Sequence, residues 1–574
     1  MEKRVFLAVA LSVAVLLGYN ALFPPPKRPA TLPEATPAAT APQAPSAAPQ
    51  TTTGTPTPSP AAPVEIAPSL VGETAPRDIV VENDDVRVTF STRGAVITSW
   101  RLKRYAENGA PLELVPQNVP AGLAKPFTLV TEDQAVNSVL DKALFKASVE
   151  SLTTTSAPGT LSFEYRDASG LSATKDFLFS PDRPYEVTFS STVTRASAPL
   201  VPSVAWGPGL GTGRVSSGMT YAPSPQPIYY LNQDVERVGF DAIAEHRVVE
   251  GAVGFGGVDD HYFLTAIVSP GQQVRLQYDP VPVPVPGSDQ PLHFVSWSAR
   301  LPTTPSKVRF FAGPKDFDVL QKSDGDLVRA IDFGIFAWLV VPLLRALKWV
   351  NTYVGNYGWS IIWLTVIINL AIFPLRHKSV VSMRKMQDLQ PEVKAIQDRY
   401  AKLKTTDPAR QKMNVEMMNL YRERGVNPAS GCVPMLLTMP VLFAFYSMLS
   451  VAIELRGAPF VGWIKDLSTY DPWFVTPVLM GATQFVQQRM TPATGDPMQQ
   501  RMMMFMPLIF MTMFIWAPSG LVLYWTVSNL WAIGQQVLTN RMIGPAQPRT
   551  AGAAAERRMK QAGGGKTDAA KERK

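Results

Sequence analysis

The chain reads GWSIIWLTVIINLAIF from Gly358 to Phe373, a stretch without charged residues that is apolar enough to enter a lipid bilayer. Three more such stretches follow, over residues 434–453, 473–486 and 502–538, and Pro518-Ser519-Gly520 divides the last one into two spans. Together with an apolar N-terminal segment, they predict a polytopic membrane protein with six spans. Pumps, proton relays and ion channels normally carry charged side chains at membrane depth, and these spans have none.

The N-terminus has the form of a signal anchor. Met1-Glu2-Lys3-Arg4 precedes an apolar run, and no clear small-residue cleavage site follows before Pro24. We therefore predict an uncleaved span over residues 1–23 with the N-terminus in the cytoplasm. Residues 24–76 contain 15 prolines among 53 residues, together with Ala, Thr and Ser, which is typical of an extended, disordered tether.

Residues 77–320 are expected to form an exported, all-β sandwich domain. Short segments with alternating apolar and polar residues predict its strands, and turn signals separate them. Examples are Val86, Val88 and Phe90; Val96, Thr98, Trp100 and Leu102; and Leu161 to Tyr165.

Sandwiches of this size often bind sugars, so a membrane-anchored carbohydrate-binding or carbohydrate-cleaving protein is one alternative. The most conspicuous acidic pair is Asp259-Asp260, but neighbouring residues of a strand point to opposite faces. This alternative also leaves the five downstream spans without a role.

Residues 324–350 have apolar residues at helical intervals, interrupted by Asp332, Pro342, Arg345 and Lys348. This pattern favours an amphipathic helix lying in the membrane interface over a short span, which would reverse all orientations downstream. The charge distribution supports the interfacial helix, because residues 375–430 hold 12 basic and 6 acidic residues, whereas 454–472 hold 2 and 3. By the positive-inside rule, the first of these two segments is cytoplasmic and the second is exported.

The same rule places the C-terminus in the cytoplasm, since residues 541–574 hold 9 basic and 3 acidic residues. We therefore expect a multi-pass protein of a bacterial inner membrane with both termini in the cytoplasm and residues 24–354 in the periplasm. The basic tail over residues 542–574 suits anionic lipids and ribosomal RNA equally.

A helical hairpin is predicted in the cytoplasm over residues 376–425. Apolar residues recur every three or four positions from Val380 to Leu403, and Asp407-Pro408 marks the start of a second helix that ends at Gly425. Its basic side chains either form a solvated face or dock ribosomes and targeting factors. The candidate docking residues are Arg384, Lys385, Lys394, Arg399, Lys402 and Lys404.

Nothing in the sequence indicates a metal, a cofactor or a catalytic residue. Cys432 is the single cysteine and has no neighbouring histidine, and the four histidines, His246, His261, His293 and His377, lack ligand spacing. We therefore expect no metal site, no cofactor and no enzymatic activity.

Three regions resemble a known family. They are GNYGWSIIWLTVIINLAIFPLRHKSVVSMRKM from Gly355, NPASGCVPMLLTMPVLFAFYSML from Asn427, and the stretch from DPMQQRMMMFMPLIF to APSGLVLYWTVSNL, which ends at Leu530. These segments closely resemble the YidC-type membrane protein insertases, bacterial relatives of the mitochondrial Oxa insertases. The upstream β-rich region resembles, in position and size, the periplasmic domain of the Gram-negative members.

The resemblance implies an α-helical insertase core of five spans over residues 355–541, acting as an insertase and chaperone. In that family the spans surround a hydrophilic groove, open to the cytoplasm and lipid, which a client's polar exported segment enters transiently. The implied partners are nascent membrane proteins and the Sec translocon. A secondary transporter or channel is the alternative class, although no internal repeat or charge at depth supports it.

The chain departs from the family pattern in the second span. The family typically has a basic groove residue five positions before the Pro of its "PL" pair, and here that position is Asn369. Arg376 lies seven residues later, on about the same helical face, and is expected to reach the groove mouth. The candidate groove residues are Thr365, Asn369, Arg376, Thr438, Gln484, Tyr524, Trp525 and Ser528. Because the stretch 473–486 is short for a span, we also expect local thinning of the bilayer.

Overall fold

The computed structural model describes residues 67–107, 109–117, 119–120, 122–210, 225–268, 271–284, 291–303, 307–400, 409–426, 433–490 and 497–543, all within one compact unit of the chain. The predicted signal anchor, the tether up to residue 66, Lys402, Lys404, Cys432 and nearly all of the basic tail lie outside the described residues. The side chains of Arg384 and Thr438 lie outside them as well.

The first part of the described chain is β-rich. Its strands are β1 Ser69–Val71, β2 Asp78–Glu82, β3 Val86–Ser91, β4 Val96–Glu107, β5 Ala110–Glu113, β6 Thr128–Val130, β7 Lys146–Ala147, β8 Ser151–Thr153, β9 Gly159–Asp167, β10 Leu171–Phe179, β11 Glu186–Arg195, β12 Ala198–Leu200, β13 Ser203–Pro208, β14 Gln226–Leu231, β15 Asp234–Arg237, β16 Val248–Ala252, β17 Phe255–Asp259, β18 Phe263–Val268, β19 Gln273–Val283, β20 Leu292–Arg300 and β21 Val308–Pro314.

These strands form three sheets. The largest follows the order β1-β9-β10-β11-β21-β18-β17-β14-β15, with β12 beside β11 and β7 beside β9. The other two follow the orders β16-β19-β20-β13-β6 and β5-β4-β3-β2-β8. Their inner faces share a core rich in aromatic rings, in which Phe127 contacts Phe177, Trp206 and Phe310. The expectation that this part of the chain forms a β-rich domain is confirmed.

The predicted alternation holds in β9, where Leu161, Phe163 and Tyr165 are buried, but it fails in β4. There Ile97 is fully buried, while Thr98 is only half-buried. The ladder pairs Thr89 with Ser99 but Phe90 with Ile97, so Thr98 is an extra residue in a β-bulge. One inserted residue moves the side chains before it to the other face.

The ordered domain also begins earlier than expected. Strand β1 pairs with β9 through Ser69 and Asp167, and the amide of Glu73 donates to the Leu144 carbonyl at 3.0 Å. The tether therefore ends before Ser69 and not at residue 76. A three-residue strand is too short to change the average composition of a Pro-rich segment, which is why the sequence pattern missed it.

The helices are α1 Gln134–Lys142, α2 Phe317–Ser323, α3 Ala337–Val354, α4 Tyr357–Asp388, α5 Gln390–Arg399, α6 Ala409–Glu423, α7 Val433–Val451, α8 Val475–Met490, α9 Pro497–Met513 and α10 Ser519–Ile543. Helices α4, α7, α8, α9 and α10 contain the five apolar stretches expected downstream of the exported domain. By length and composition alone, two segments among the described residues are candidate spans, Gly334–Val354 and Tyr357–Ser382.

The segment predicted as an interfacial helix over residues 324–350 is helical only in its second half. It begins with two 3₁₀ turns, Leu327–Ala330 and Gly334–Phe336, before α3 starts. The Asp332 carboxylate accepts the Gly334 amide at 2.9 Å, and Gly334 has a φ of 64°, which breaks the helix there. Helix α3 ends at the left-handed Gly355.

The helical hairpin predicted over residues 376–425 also differs from its prediction. Helix α4 continues without interruption from the span through residues 376–388. The helical conformation is interrupted only before α5, where Pro391 occupies the first turn. Proline cannot donate the amide that would continue the preceding helix. Helices α5 and α6 pack through Val393, Ile396 and Leu420.

The predicted end of the second hairpin helix is confirmed. Gly425 has a φ of 62°, its amide donates to the Arg422 carbonyl, and the Val426 amide donates to the Tyr421 carbonyl. This pair of bonds is a Schellman motif, which requires the left-handed residue that glycine supplies.

Candidate functional site

Polar side chains lie along one face of α4. Thr365 is completely buried and its hydroxyl donates to the Ile361 carbonyl at 2.6 Å. One turn later, Asn369 Nδ2 donates to the Thr365 carbonyl at 2.8 Å. Arg376 Nη1 in turn donates to Asn369 Oδ1 at 3.0 Å. The seven-residue spacing thus brings the guanidinium and the amide together, two helical turns apart on one face.

Helix α10 packs against α4 and supplies the facing polar groups. Tyr524 is buried, and its hydroxyl lies near enough to Arg376 for an electrostatic interaction. Ser528 lies one turn further along. No hydrogen bond of standard geometry satisfies the buried Ser528 hydroxyl among the described residues, although the Tyr524 hydroxyl is close enough to interact with it. Thr365, Asn369, Arg376, Tyr524 and Ser528 therefore face the protein interior.

A third helix fixes the position of Tyr524. The ring of Phe445, in α7, stacks on the Tyr524 ring with centroids 4.3 Å apart and planes 8° apart. Stacked aromatic pairs are stabilised beyond the area they bury. Helix α7 therefore contributes to the orientation of the Tyr524 ring, which carries the hydroxyl.

Sequence reasoning missed polar contacts between the C-terminal halves of α4 and α10. Gln535 Nε2 donates to the Phe373 carbonyl at 3.4 Å, and His377 Nδ1 lies 3.3 Å from the fully buried Thr539 hydroxyl. The signal was present, because Ser528, Gln535 and Thr539 are spaced by seven and four residues and so share one face of α10.

Two predicted groove residues have other surroundings. Trp525 packs against Phe510 and Phe514 of α9, with centroids 5.4 and 5.0 Å away, so it belongs to an aromatic cluster between α9 and α10. Gln484 lies in α8, and its Oε1 is buried without a hydrogen-bond partner among the described residues. A buried acceptor without a partner is costly in free energy, so an incoming donor would be favoured there.

Helix α8 is tied to α10 and capped at its start. Asn529 Nδ2 lies 3.3 Å from Thr483 Oγ1, a polar contact between the two helices. At the other end, the Asp471 carboxylate accepts the Thr476 amide at 2.8 Å and Trp463 Nε1 at 2.9 Å. Burial opposes the ionised carboxylate, but these hydrogen bonds outweigh it and lower the pKa of Asp471.

The candidate docking residues are distributed over two helices. Lys385 lies near the end of α4 and Lys394 and Arg399 in α5, and all three are exposed. Arg399 contacts Glu416 of α6 at 3.3 Å. An exposed ion pair of this kind adds little stability. The three cations therefore lie on a solvent-exposed surface.

The acidic pair of the β-rich domain serves the fold. Asp259 contacts Lys315 at 3.1 Å and Arg237 at 3.3 Å, and the Asp260 carboxylate accepts two backbone amides of its own turn. Among the described residues, no three His, Cys, Asp or Glu side chains lie close enough together to hold a metal ion.

Comparisons with known proteins identify the family of this chain. The family model described as "60Kd inner membrane protein" matches residues 349–546, and the "YidC periplasmic domain" model matches residues 78–346. A membrane protein insertase YidC from Geobacter metallireducens is 35% identical, over 96% of this chain and 100% of that protein. The chain belongs to the YidC family of membrane protein insertases. This family consists of insertases and not of enzymes, and its members are inner-membrane proteins with a periplasmic domain.

One further relative and one solved structure are also similar to this chain. A YidC insertase from Geobacter sulfurreducens is 37% identical, over 96% of this chain and 100% of that protein. A solved structure titled "Active YidC insertase crystal structure with the first transmembrane domain resolved" is 18% identical, with a TM-score of 0.33, over 83% of this chain and 95% of that chain.

Proposed function

We propose that this YidC family member receives the polar segment of a nascent membrane protein in a cleft between α4 and α10, and that Arg376 attracts acidic segments to it. The contact that carries the proposal is the hydrogen bond from Arg376 Nη1 to Asn369 Oδ1, at 3.0 Å. This hydrogen bond orients the Arg376 guanidinium back along α4, toward Thr365 and Tyr524. Thr438, Gln484, Trp525 and Ser528 complete the proposed groove.

The attraction of a client carboxylate depends on the N–H donors that Arg376 retains. A guanidinium has five N–H donors, and among the described residues Arg376 gives one of them to Asn369. At an effective dielectric constant of about 20, opposite charges about 4 Å apart attract each other by about 4 kcal/mol. The half-buried guanidinium of Arg376 can therefore attract a carboxylate of a client without leaving Asn369.

The short helices would reduce the distance that a polar segment must cross. Helix α8 has 16 residues and α9 has 17, which correspond to about 24 and 26 Å of helix. A typical hydrocarbon core is about 30 Å thick. Both helices favour a locally thinner bilayer next to the groove. A thinner barrier lowers the cost of moving unpaired backbone groups across it.

The finer organisation is also part of the proposal. Residues 1–23 would form the signal anchor, followed by the tether, the periplasmic domain, the interfacial helix, the insertase core and the basic tail from residue 542. Both termini would lie in the cytoplasm and residues 24–354 in the periplasm, as the charge distribution favours. Lys385, Lys394 and Arg399 would dock ribosomes or targeting factors, the tail would contact anionic lipids or ribosomes, and the Sec translocon would be a partner.

Insertion of matched clients tests the role of Arg376. Full-length protein in proteoliposomes would be given a single-span client whose exported tail is acidic, or the same client with a neutral tail. We expect Arg376→Ala to lower insertion of the acidic client about tenfold, equivalent to about 1.4 kcal/mol, and to affect the neutral client much less. Asn369→Ala should have a smaller effect in the same direction, because the guanidinium keeps its charge but loses its orientation.

The controls separate charge from structural damage. Arg376→Lys keeps the charge and should retain most of the activity, while Lys378→Ala removes an exposed cation two residues away and should leave insertion unchanged. Equal insertion of the acidic client by wild-type protein and Arg376→Ala would refute the proposed role.

A further inference from the structure

The periplasmic end of α7 is held by a residue of the β-rich domain. The last four carbonyls of a helix lack partners within that helix, and Ser450 lies one residue before the end of α7. The Ala452 amide donates to the Met448 carbonyl at 2.9 Å, while the Ser450 carbonyl lies 2.7 Å from His261 Nε2. A carbonyl can only accept, so His261 donates this hydrogen bond across the junction.

The turn that carries His261 is rigid. It joins β17 to β18, and the Asp260 carboxylate accepts the amides of Tyr262 at 2.8 Å and Phe263 at 2.7 Å. The Asp260 amide also donates to the Phe263 carbonyl at 3.0 Å. Three hydrogen bonds within four residues fix the direction of the intervening imidazole, whose ring lies edge-on to Tyr262 at 4.3 Å.

Buried charges fasten this turn to the rest of its domain. Asp259 precedes the turn and is 1% exposed, and its carboxylate contacts Lys315 Nζ at 3.1 Å. The Lys315 amide donates to the Tyr262 carbonyl at 2.7 Å. Arg237 contacts the same carboxylate and donates to the Ala330 carbonyl at 2.6 Å. A displacement of the turn would therefore break a buried ion pair, which is costly.

A second contact to the same turn comes from the segment that follows α7, in the membrane core of helices α4 and α7 to α10. Arg456 follows the 3₁₀ turn Ile453–Leu455 after α7, and its guanidinium lies over the rings of Phe263 at 5.0 Å and Tyr262 at 5.8 Å. The turn is therefore enclosed between the end of α7 and the loop that leads to α8.

We infer that His261 is a positioning residue for insertion, holding α7 in place from the periplasmic domain. Five residues, about 7.5 Å along the helix axis, separate Ser450 from Phe445, whose ring stacks on Tyr524. A shift of the α7 end would therefore move the Tyr524 ring and the hydroxyl that it presents to Arg376. This inference rests on the proposed function, because it gives the groove a support outside the membrane.

Paired substitutions of His261 test the inference in full-length protein in proteoliposomes. His261→Leu removes the donor, whereas His261→Gln keeps an amide donor near the position of Nε2. We expect His261→Leu to lower insertion of the acidic and neutral clients alike, by about fivefold, because the donor to the partly buried Ser450 carbonyl is lost. His261→Gln should stay within about twofold of wild type. His246→Leu replaces an exposed histidine of the same domain and is the matched control.

Hydrogen–deuterium exchange supplies a readout that does not depend on insertion. Residues 445–456 should exchange faster in His261→Leu than in wild type and at nearly the wild-type rate in His261→Gln. Arg456→Leu removes the second contact and should speed exchange in the same segment, which keeps the test available if His261→Leu does not accumulate.

The possible results are distinct. Unchanged insertion by His261→Leu, unchanged exchange over residues 445–456, or equal damage in His261→Leu and His261→Gln would each overturn the inference. Failure of the proposed function gives a different result. Arg376→Ala would then not distinguish acidic from neutral clients, even though His261 variants altered insertion.

Discussion

Lys175 in the β-rich domain and Arg376 in the membrane core are both cations away from bulk water, but their surroundings differ. Lys175 is 1% exposed, and its Nζ donates to the carbonyls of Gly94 at 2.6 Å, Phe127 at 2.8 Å and Ala95 at 3.1 Å. An ammonium has three donors, so all of them are used. Lys175 therefore serves the fold and offers nothing to a ligand.

Arg376 is only half-buried and keeps most of its donors. Around it, the uncharged polar side chains mainly satisfy their own helices, as Thr365 does with Ile361 and Thr526 with Val522. A buried cation can therefore act on a ligand only where some of its hydrogen-bond donors remain unused. In the β-rich domain all three donors of Lys175 are used. In the membrane core, Arg376 keeps unused donors near the proposed groove.

The largest expected effect comes from removing the satisfied cation. Lys175→Met keeps the length of the side chain but leaves three buried carbonyls without a donor. We expect the β-rich domain to lose about 3–5 kcal/mol of unfolding free energy, since each unsatisfied buried group costs about 1–3 kcal/mol. Denaturant unfolding of full-length protein, followed by tryptophan fluorescence, measures this loss because Trp100, Trp206 and Trp297 are buried in this domain.

Lys142→Met provides the matched control, because Lys142 is an exposed residue at the end of α1. Its unfolding free energy should stay within about 0.5 kcal/mol of wild type. If Lys175→Met proved as stable as Lys142→Met, the view that the hydrogen bonds of Lys175 support this domain would be wrong.

The contrast between the two regions also explains what could be predicted from the sequence. The spans are long apolar runs, and the contact between Arg376 and Asn369 follows from helical spacing, so both could be inferred without coordinates. The bulge at Thr98 and the break before Pro391 depend on local geometry that periodicity averages out.

Contacts between distant parts of the chain gave no sequence signal. His261 and Ser450 are 189 residues apart. A lone histidine without ligand spacing gives no reason to expect a partner at a helix end. The stacking of Phe445 on Tyr524 could not be predicted either, because an aromatic residue within an apolar span has no distinguishing pattern.

A smaller effect is expected from packing at the start of α4. A Cβ at Gly358 would lie 2.1 Å from Phe460 Cδ2, so Gly358→Ala forces the loop away from the helix. Asn356 Nδ2 holds that loop through the Pro459 carbonyl at 3.0 Å, which limits how far it can yield. We expect a loss of about 1–3 kcal/mol in thermal or denaturant unfolding. This result would show that the membrane core depends on close packing at this position, whereas the β-rich domain depends on a fully hydrogen-bonded buried cation.

A second substitution checks the cause. In Gly358→Ala/Phe460→Ala the contacts with the ring are removed and only the one with Phe460 Cβ, at 2.9 Å, remains. Gly358→Ala should therefore cost much less stability in the Phe460→Ala background than in wild type. A double variant whose losses simply add would show that the alanine harms α4 for another reason.

The smallest effect concerns the junction between the two regions and depends on pH. Burial lowers the pKa of His261 below its ordinary 6.5, against the hydrogen bond to Ser450, which raises it. Lys315 also disfavours the imidazolium, while Asp259 favours it. When the turn is detached, the imidazole regains its ordinary pKa and takes up a proton first as the pH falls. Docking is therefore fully stable above about pH 6.5 and weakens as the pH falls from there through the lowered pKa.

Insertion by wild-type protein, divided by insertion by His261→Gln under the same conditions, isolates this titration because glutamine does not ionise. Between about pH 7 and pH 5 we expect the ratio to fall about twofold, less than the tenfold that a full unit of pKa difference would allow. A ratio that stays constant would mean that the imidazole keeps the same proton affinity whether or not the turn is docked. The junction would then join the two regions without responding to the acidity of the compartment that the β-rich domain faces.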